Sequence, residues 1–324
     1  MTRNLYVPLE IILQVLKFSI PLGNPNRILS VATPEIQQLV SWARVCRGTY
    51  EPATQFLRQH CVHIDSEHRL QTFLKCLNYS EDLKESGHTS ALPKTIPLSE
   101  ISSIYLGLSQ EETQSLRTAA LIRDVLAKLG GSVRRLIVDL PFRKIAQQHS
   151  IDAHMDSIFS HGLRALHNLE EFVTLGGLPV LEFWRSELNI YDVWPKLRRL
   201  AGFKVNLSEE ALWYNVARHR TIEHLIISMP YLLRQQTWNI KHAVGGQEWN
   251  AEHGGDSTYA RPLKIVIANH EYSSPIIDTR DGKLYDPSGL LDVSAYEIPV
   301  IAKRVDWVCR EWLIRAAKED TLWG

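Results

Sequence analysis

The sequence has few cysteines and no excess of either charge. Its 324 residues include four cysteines: Cys46, Cys61, Cys76 and Cys309. None belongs to a C-x-x-C pair, which excludes a zinc knuckle or a redox motif of that kind. We expect four buried thiols in a reducing compartment. Basic and acidic residues number 36 each, so the formal net charge is zero, which argues against sequence-independent nucleic-acid binding.

Long hydrophobic runs are also missing. The apolar N-terminus, residues 1–20, is interrupted by Glu10, Gln14 and Lys17 and lacks a small-residue cleavage site, so it does not resemble a signal peptide. No stretch approaches the ~20 apolar residues of a membrane span. Because 44% of the residues are hydrophobic and 22% are charged, the chain can bury a sizeable core. We expect a folded cytoplasmic or nuclear protein that binds no membrane.

Sequence motifs for catalysis are absent. The chain has no phosphate-binding loop, dinucleotide-binding loop, nucleophile elbow or zinc-protease helix. Two groups of titratable residues are candidate metal ligands: His149, Asp152, His154, Asp156, His161 and His167, and His242, Glu248, His253 and Asp256. The first group lacks the three- or four-residue spacing that shares a helix face, and the second lies in a glycine-rich loop. We expect no enzyme, cofactor or metal, although a metal-dependent hydrolase using the second group stays as an alternative.

The first sixty residues predict three short helices, over residues 8–20, 34–46 and 51–59. Pro8 suits a first helical turn, where its missing N–H costs nothing, and the apolar residues after it recur at helical spacing. Residues 21–34 contain glycine, asparagine and proline and predict a loop. Short helices with large apolar faces cannot bury them all among themselves, so we expect a partner or a neighbouring domain to cover the remainder.

From residue 61 the pattern changes to short apolar runs that alternate with helical stretches. The runs are residues 61–64, 104–108, 133–140, 169–175, 197–203, 222–229 and 263–267. Their starts lie roughly 25 to 45 residues apart, as in solenoids of strand–helix repeats. We predict an irregular α/β solenoid with parallel strands, because one such unit cannot cover its own apolar face.

The helices of this region have recognisable ends. Ser109 and Glu112 form a capping box before a predicted helix over residues 111–129, which Gly130 ends. Ile301, Val305, Val308 and Trp312 form one apolar stripe, which predicts a C-terminal helix that caps the last repeat. Residues 229–263 contain a long glycine-rich loop before the next strand, and residues 280–294, rich in aspartate, glycine and proline, have no assignment.

The N-terminus resembles the F-box family, in a fungal-type form with leucine-rich-repeat-like C-terminal halves. The first half of the motif is matched by Val7, Pro8, Leu9, Glu10, Ile11, Ile12, Val15 and Leu16. The second half is matched by Leu39, Val40, Trp42, Val45, Cys46, Arg47, Tyr50, Pro52, Phe56 and Leu57. Residues 21–34 form an insertion where the family has a tight turn.

The resemblance implies a substrate receptor of a Skp–cullin–F-box ubiquitin ligase. Residues 1–60 would be the F-box-like helical module and residues 61–324 the leucine-rich-repeat-like region that recruits a protein client. By position, the residues that dock on the Skp-family adaptor would be Pro8, Leu9, Ile11, Ile12, Val15, Leu16, Leu39, Val40, Val45 and Cys46. The alternatives are that these helices only cap the solenoid, and that the chain is a stand-alone interaction scaffold without a ligase link.

Strand parity predicts the client-binding residues. If Leu136 and Val138 point inward, their neighbours along the strand point outward. The residues of that parity that we expect on an exposed concave face are Arg135, Asp139, Glu171, Arg199, His224, Ser228 and Lys264. Their mixed charge would suit a polar protein partner.

Overall fold

The computed structural model of the chain describes residues 7–18, 26–85, 98–142, 152–177, 193–232, 239–245, 261–270, 286, 288–299 and 304–324. These ranges contain ten α-helices, eight β-strands and a short 3₁₀ helix at Leu98–Glu100. The helices are α1 (Leu9–Phe18), α2 (Pro34–Ala43), α3 (Arg47–His60), α4 (Glu67–Glu85), α5 (Gln110–Thr113), α6 (Leu116–Leu129), α7 (Asp152–Arg164), α8 (Glu210–Arg218), α9 (Ile240–Gly245) and α10 (Val305–Glu319).

The strands form one open, entirely parallel sheet in sequence order. They are β1 (His63–Ile64), β2 (Ser103–Gly107), β3 (Arg135–Asp139), β4 (Glu171–Thr174), β5 (Arg199–Phe203), β6 (His224–Ser228), β7 (Leu263–Asn269) and β8 (Leu291–Glu297). Each strand pairs with the one before it, so the chain winds along the sheet in a single direction. The predicted α/β class with parallel strands is confirmed.

One face of the sheet packs against the crossover helices. A row of register partners, Leu136, Phe172, Leu200, Leu225 and Ile265, crosses the sheet from β3 to β7 and is fully buried. Apolar side chains of α4, α6, α7, α8 and α9 belong to the same core. Stacking units side by side therefore buries the apolar face that a single strand and helix would leave open.

The opposite face of the sheet is covered by α10. The neighbouring register row, Tyr105, Ile137, Val173, Ala201 and Ile226, forms a second core with apolar residues of that helix. The helix side of this core consists of Cys309, Leu313, Ile314, Ala316 and Ala317. The expectation that the C-terminal helix caps the last repeat is therefore wrong, because α10 lies across the face of the strands.

Helices α1, α2 and α3 occupy the positions predicted for the N-terminal module, within a few residues at each end. Further along, the predicted helix over residues 111–129 is divided into α5 and α6. Its capping box is present: the Glu112 amide donates to Ser109 Oγ at 3.3 Å, and the Ser109 amide donates to the Glu112 carboxylate at 2.9 Å. Strand β8 begins within residues 280–294, for which the sequence pattern predicts no element.

Candidate partner-binding surfaces

The three N-terminal helices enclose a small core of their own. It contains Leu16, Leu29, Ile36, Leu39 and Ala53. Leu16 and Leu39, which the F-box resemblance assigns to adaptor docking, are each only 1% exposed. We correct that assignment, because these two side chains hold the helices together and present no surface to a partner.

The other side of α1 carries an apolar stripe that faces solvent. Ile11, Val15 and Phe18 follow one another at i, i+4 and i+7 and so share a helix face. Their side chains are 48%, 47% and 80% exposed. Leu9 lies beside α3, where a Cβ added to Gly48 would stand 2.8 Å from a Leu9 methyl carbon. A glycine at position 48 therefore lets α1 approach α3 closely while the stripe stays outside.

A second exposed apolar segment lies at the turn between α2 and α3. Val40 and Val45 are 36% and 60% exposed, and Cys46 is also exposed. The turn is fixed by Thr49, whose buried hydroxyl donates to the Trp42 carbonyl at 2.7 Å and accepts from the Cys46 amide at 3.3 Å. The resemblance did not identify Thr49. Its place three residues after an N-cap is the signal that would have found it.

Most of the adaptor-docking residues implied by the resemblance are at the surface. Those that are exposed are Pro8, Leu9, Ile11, Val15, Val40, Val45 and Cys46. Ile12 is half-buried, and only Leu16 and Leu39 are sealed inside the chain.

Part of the inserted segment links the N-terminal helices to α10. The Ile28 amide donates to the Lys318 carbonyl at 2.8 Å, and the Ile28 side chain belongs to the α10 core. The next residue, Leu29, enters the core of α1–α3, and its amide donates to the His60 carbonyl at 2.6 Å. Residues 26–29 are therefore a packed strap rather than a loop that projects from the surface. Residues 19–25 lie outside the described part of the chain.

The predicted client-binding row lies on the face that α10 covers. Arg135, Glu171 and Ser228 are buried, Asp139, His224 and Lys264 are half-buried, and the side chain of Arg199 is 42% exposed. The parity prediction was right about which face these residues share. The prediction of an open concave surface was wrong, because Ile137, Val173 and Ile226 give the same face apolar positions, which α10 buries.

Arg135 joins three parts of the chain. Its Nε donates to the Glu171 carboxylate at 2.7 Å, and both side chains are about 5% exposed. Its other nitrogens donate to the Asn26 carbonyl in the strap and to the Ala317 carbonyl in α10. A buried arginine with a buried carboxylate and two carbonyl partners is a structural pair. These contacts make Arg135 an anchor for α10 rather than a surface contact for a client.

Two further contacts fix α10 over β1–β3. Arg310 pairs with Asp139, and Lys318 Nζ lies 3.7 Å from the centre of the Tyr105 ring. Lys318 Nζ also lies 2.9 Å from His63 Nε2, which accepts a hydrogen bond from the ammonium when the imidazole is neutral with its proton on Nδ1. Burial, followed by the neighbouring Lys318 charge, lowers the pKa of His63 to about 4. His63 is therefore neutral at physiological pH and compatible with the lysine beside it.

The candidate metal ligands form no site within the described residues, where no group of three or more histidine, cysteine or acidic side chains could hold a metal ion. His161 and His167 are exposed. Most of the second group falls in residues 246–260, which lie outside the described ranges. The expectation of four buried thiols was wrong. The four cysteines are not joined in disulfides; Cys46 and Cys76 are exposed, Cys61 is half-buried and Cys309 is buried.

Comparison with known proteins assigns no family to the chain. No protein-family model matches the sequence, and a search of the curated proteins finds no match. Among the helices in the described ranges, none is long and apolar enough to cross a membrane.

Proposed function

We propose that the chain is a non-catalytic substrate receptor of a Skp–cullin–F-box ubiquitin ligase. Helices α1–α3 would be its F-box-like module and the strand–helix units its leucine-rich-repeat-like solenoid. The observation that carries the proposal is the outward apolar stripe of Ile11, Val15 and Phe18, on a helix whose inner side is already packed. The free thiols suit the cytoplasm or nucleus, where we place the protein.

The energetics favour a partner for this surface. Fully burying an aliphatic or aromatic side chain contributes about 1.5–3 kcal/mol. Ile11 and Val15 retain nearly half of their exposure, so each has about 1 kcal/mol left to gain in a complex. Phe18 continues the same face of α1, and Val40 and Val45 are further exposed apolar residues of the three-helix module. Contiguous exposed apolar residues on a small folded module indicate a protein-binding site.

Co-purification with a Skp-family adaptor tests the proposal. The variant Ile11→Asp/Val15→Asp places two charges on the stripe, and docking would leave them desolvated without a partner. Gln14→Asp is the matched control, because Gln14 is exposed on the same helix outside the stripe. We expect the wild type and the control to retain the adaptor and the double variant to lose it. Equal retention by all three would contradict adaptor docking.

A stand-alone scaffold is the second candidate, favoured by the strap. Because Ile28 and Leu29 tie the N-terminal helices to α10, those helices could act only as a structural part of the solenoid. In that case a fragment of residues 61–324 should fail to fold. Circular dichroism and thermal melting of the fragment make the test, and a cooperatively folded fragment would count against this second candidate.

A further inference from the structure

A polar cleft of about 540 Å³ lies at the amino ends of β2–β5, and it shares Arg135 and Asn26 with the contacts that hold α10. Its volume is within the range of ligand-binding clefts. The lining residues within the described ranges are polar or glycine: Asn26, Ser99, Ser102, Ser103, Gly131, Ser132, Arg134, Arg135, Asn168, Glu170, Glu171, Lys196, Arg198 and Arg199. Such a wall suits a charged ligand rather than an apolar one.

The cleft concentrates positive charge in a chain whose net charge is zero. Five of its lining side chains are cationic and two are anionic. The opposite charges of the buried Arg135–Glu171 ion pair cancel each other. Among the described lining residues, the cations that reach solvent are then Arg134, Lys196, Arg198 and Arg199, and Glu170 is the remaining carboxylate; Arg199 also lies 3.5 Å from Glu171.

The acidic neighbours neutralise these cations only in part. Glu170 lies 3.8 Å from Arg134, a loose contact between side chains that are 43% and 67% exposed. Arg198 is paired more closely, at 2.7 Å, with Glu223 outside the cleft. Lys196 donates to the neutral Asn168 amide oxygen at 2.6 Å. Exposed pairs of this kind contribute little and exchange readily for another anion.

The register of the sheet spaces the arginines. Arg134 and Arg198 each precede the first residue of β3 and β5, which are separated by β4. Since neighbouring strands lie about 4.8 Å apart, the two backbone positions are about 10 Å apart. Two carboxylates separated by two intervening residues in an extended, polyproline-like segment lie about 9 Å apart. The cleft therefore matches a pair of acidic side chains on one peptide.

We propose that this cleft binds an acidic peptide segment with the spacing acid-x-x-acid, and that such a segment is how a client is recognised. The client identity rests on the proposed receptor function, whereas the binding of oxyanions by the cleft does not. Because α10 covers the face of the sheet that carries Ile137, Val173 and Ile226, a polar partner would reach these charges at the amino-end edge of the sheet.

Fluorescence anisotropy with the purified full chain tests this inference. The probes are labelled peptides carrying Glu-x-x-Glu, phosphoserine-x-x-phosphoserine or Gln-x-x-Gln. We expect both acidic peptides to bind, the glutamine peptide not to bind, and added salt to weaken binding. The tighter of the two acidic peptides identifies the source of the oxyanion. Equal binding of all three peptides, or no binding of the acidic ones, would overturn the proposal.

Variants locate the site. Arg134→Gln/Arg198→Gln should weaken binding of the acidic peptide about tenfold. Arg304→Gln/Arg315→Gln is the matched control, since it removes the same charge from exposed positions outside the cleft. Equal weakening by both pairs would overturn the assignment to the cleft, as would an unchanged affinity of the first pair. If Arg134→Gln/Arg198→Gln lowers the melting temperature, the affinity of Lys196→Gln for the acidic peptide is measured as a second test of the cleft.

The cleft variant and the stripe variant together distinguish a failure of this inference from a failure of the proposed receptor function. The cleft variant should still bind a Skp-family adaptor, and Ile11→Asp/Val15→Asp should still bind the acidic peptide. If the wild type binds the peptide but no adaptor, the receptor function fails and the cleft stands. If it binds the adaptor but no acidic peptide, the cleft fails and the receptor function stands.

Discussion

Replacing Arg135 with methionine should test most sharply how α10 is held on the sheet. Methionine keeps much of the side-chain volume but removes every donor. Glu171, whose side chain is 6% exposed, would keep only Arg199 at 3.5 Å. Removing one member of a buried ion pair costs about 3–5 kcal/mol, because it leaves a charge uncompensated in the interior. We therefore expect a loss of that size in the free energy of unfolding.

The loss can be separated into charge and carbonyl contributions. In Arg135→Met/Glu171→Met the unpaired carboxylate is gone, so part of the stability should return. The carbonyls of Asn26 and Ala317 lose the guanidinium donor in both variants, and the Ala317 carbonyl keeps the Asp320 amide at 3.3 Å, so recovery should be incomplete by about 1 kcal/mol. A recovery of about 2 kcal/mol over the single variant is the expected result.

Urea unfolding followed by circular dichroism measures these differences. Arg198→Met is the control, because its pair with Glu223 is exposed at both ends, 57% and 47%, and should contribute less than about 1 kcal/mol. At roughly 2 °C per kcal/mol, Arg135→Met should lower the melting temperature by about 6–10 °C. The reasoning fails if Arg135→Met costs no more than Arg198→Met, or if the double variant is less stable than the single one.

Two further predictions concern pH and backbone packing. Burial is the main cause that lowers the pKa of His63 and of His219 to about 4, below an unfolded value near 6.5, so stability is fully present above pH 6.5 and falls as the pH drops towards 4. Between pH 7.5 and 5.5 the two histidines should together lower the free energy of unfolding by about 3 kcal/mol in urea titrations, and His63→Gln/His219→Gln should show a flatter slope. A Cβ on Gly130 would lie 2.2 Å from the Ala165 carbonyl oxygen, whereas one on Gly131 would meet nothing within 4 Å. Gly130→Ala should therefore cost about 1–3 kcal/mol and Gly131→Ala almost nothing; equal melting temperatures would contradict this packing.

The alternation of apolar runs with helical stretches predicted most of the fold. Each of the seven runs contains a strand, because buried parallel strands are short and rich in aliphatic residues. Strand β8 was missed, since Leu291–Glu297 has mainly exposed side chains and no continuous apolar run. Its position is set by pairing with β7 along seven residues, a long-range contact that local pattern does not contain.

The location of α10 could have been inferred in part. Leu136, Ile137 and Val138 are consecutive apolar residues, which indicates a strand buried on both faces. The prediction that Ile137 faces solvent therefore conflicted with the apolar character of its side chain. Nothing in the sequence near residue 305, however, indicates that this helix covers strands as far back as β2. That assignment depends on the packing of distant segments.

The candidate site was predictable in outline but not in its division between core and surface. Helical spacing places Ile11 and Val15 on one side of α1 and Ile12 and Leu16 on another. From the sequence alone, either side could have faced the interior. Leu16 is buried because Leu29, from the inserted strap, and Leu39 pack around it. Val15 is left outside by the same arrangement. The amino-end cleft had no sequence signature, because its arginines become neighbours only through strand register.

Hydrogen exchange of the chain with and without a purified Skp-family adaptor is the most direct test of the central claim. If the stripe on α1 is completed by another polypeptide, amides of Leu9–Phe18 and of the turn around Val45 should exchange more slowly in the complex. The amides of α10, which is already packed on the sheet, should not change. Unaltered exchange in α1 at saturating adaptor, or protection confined to other elements, would contradict the claim.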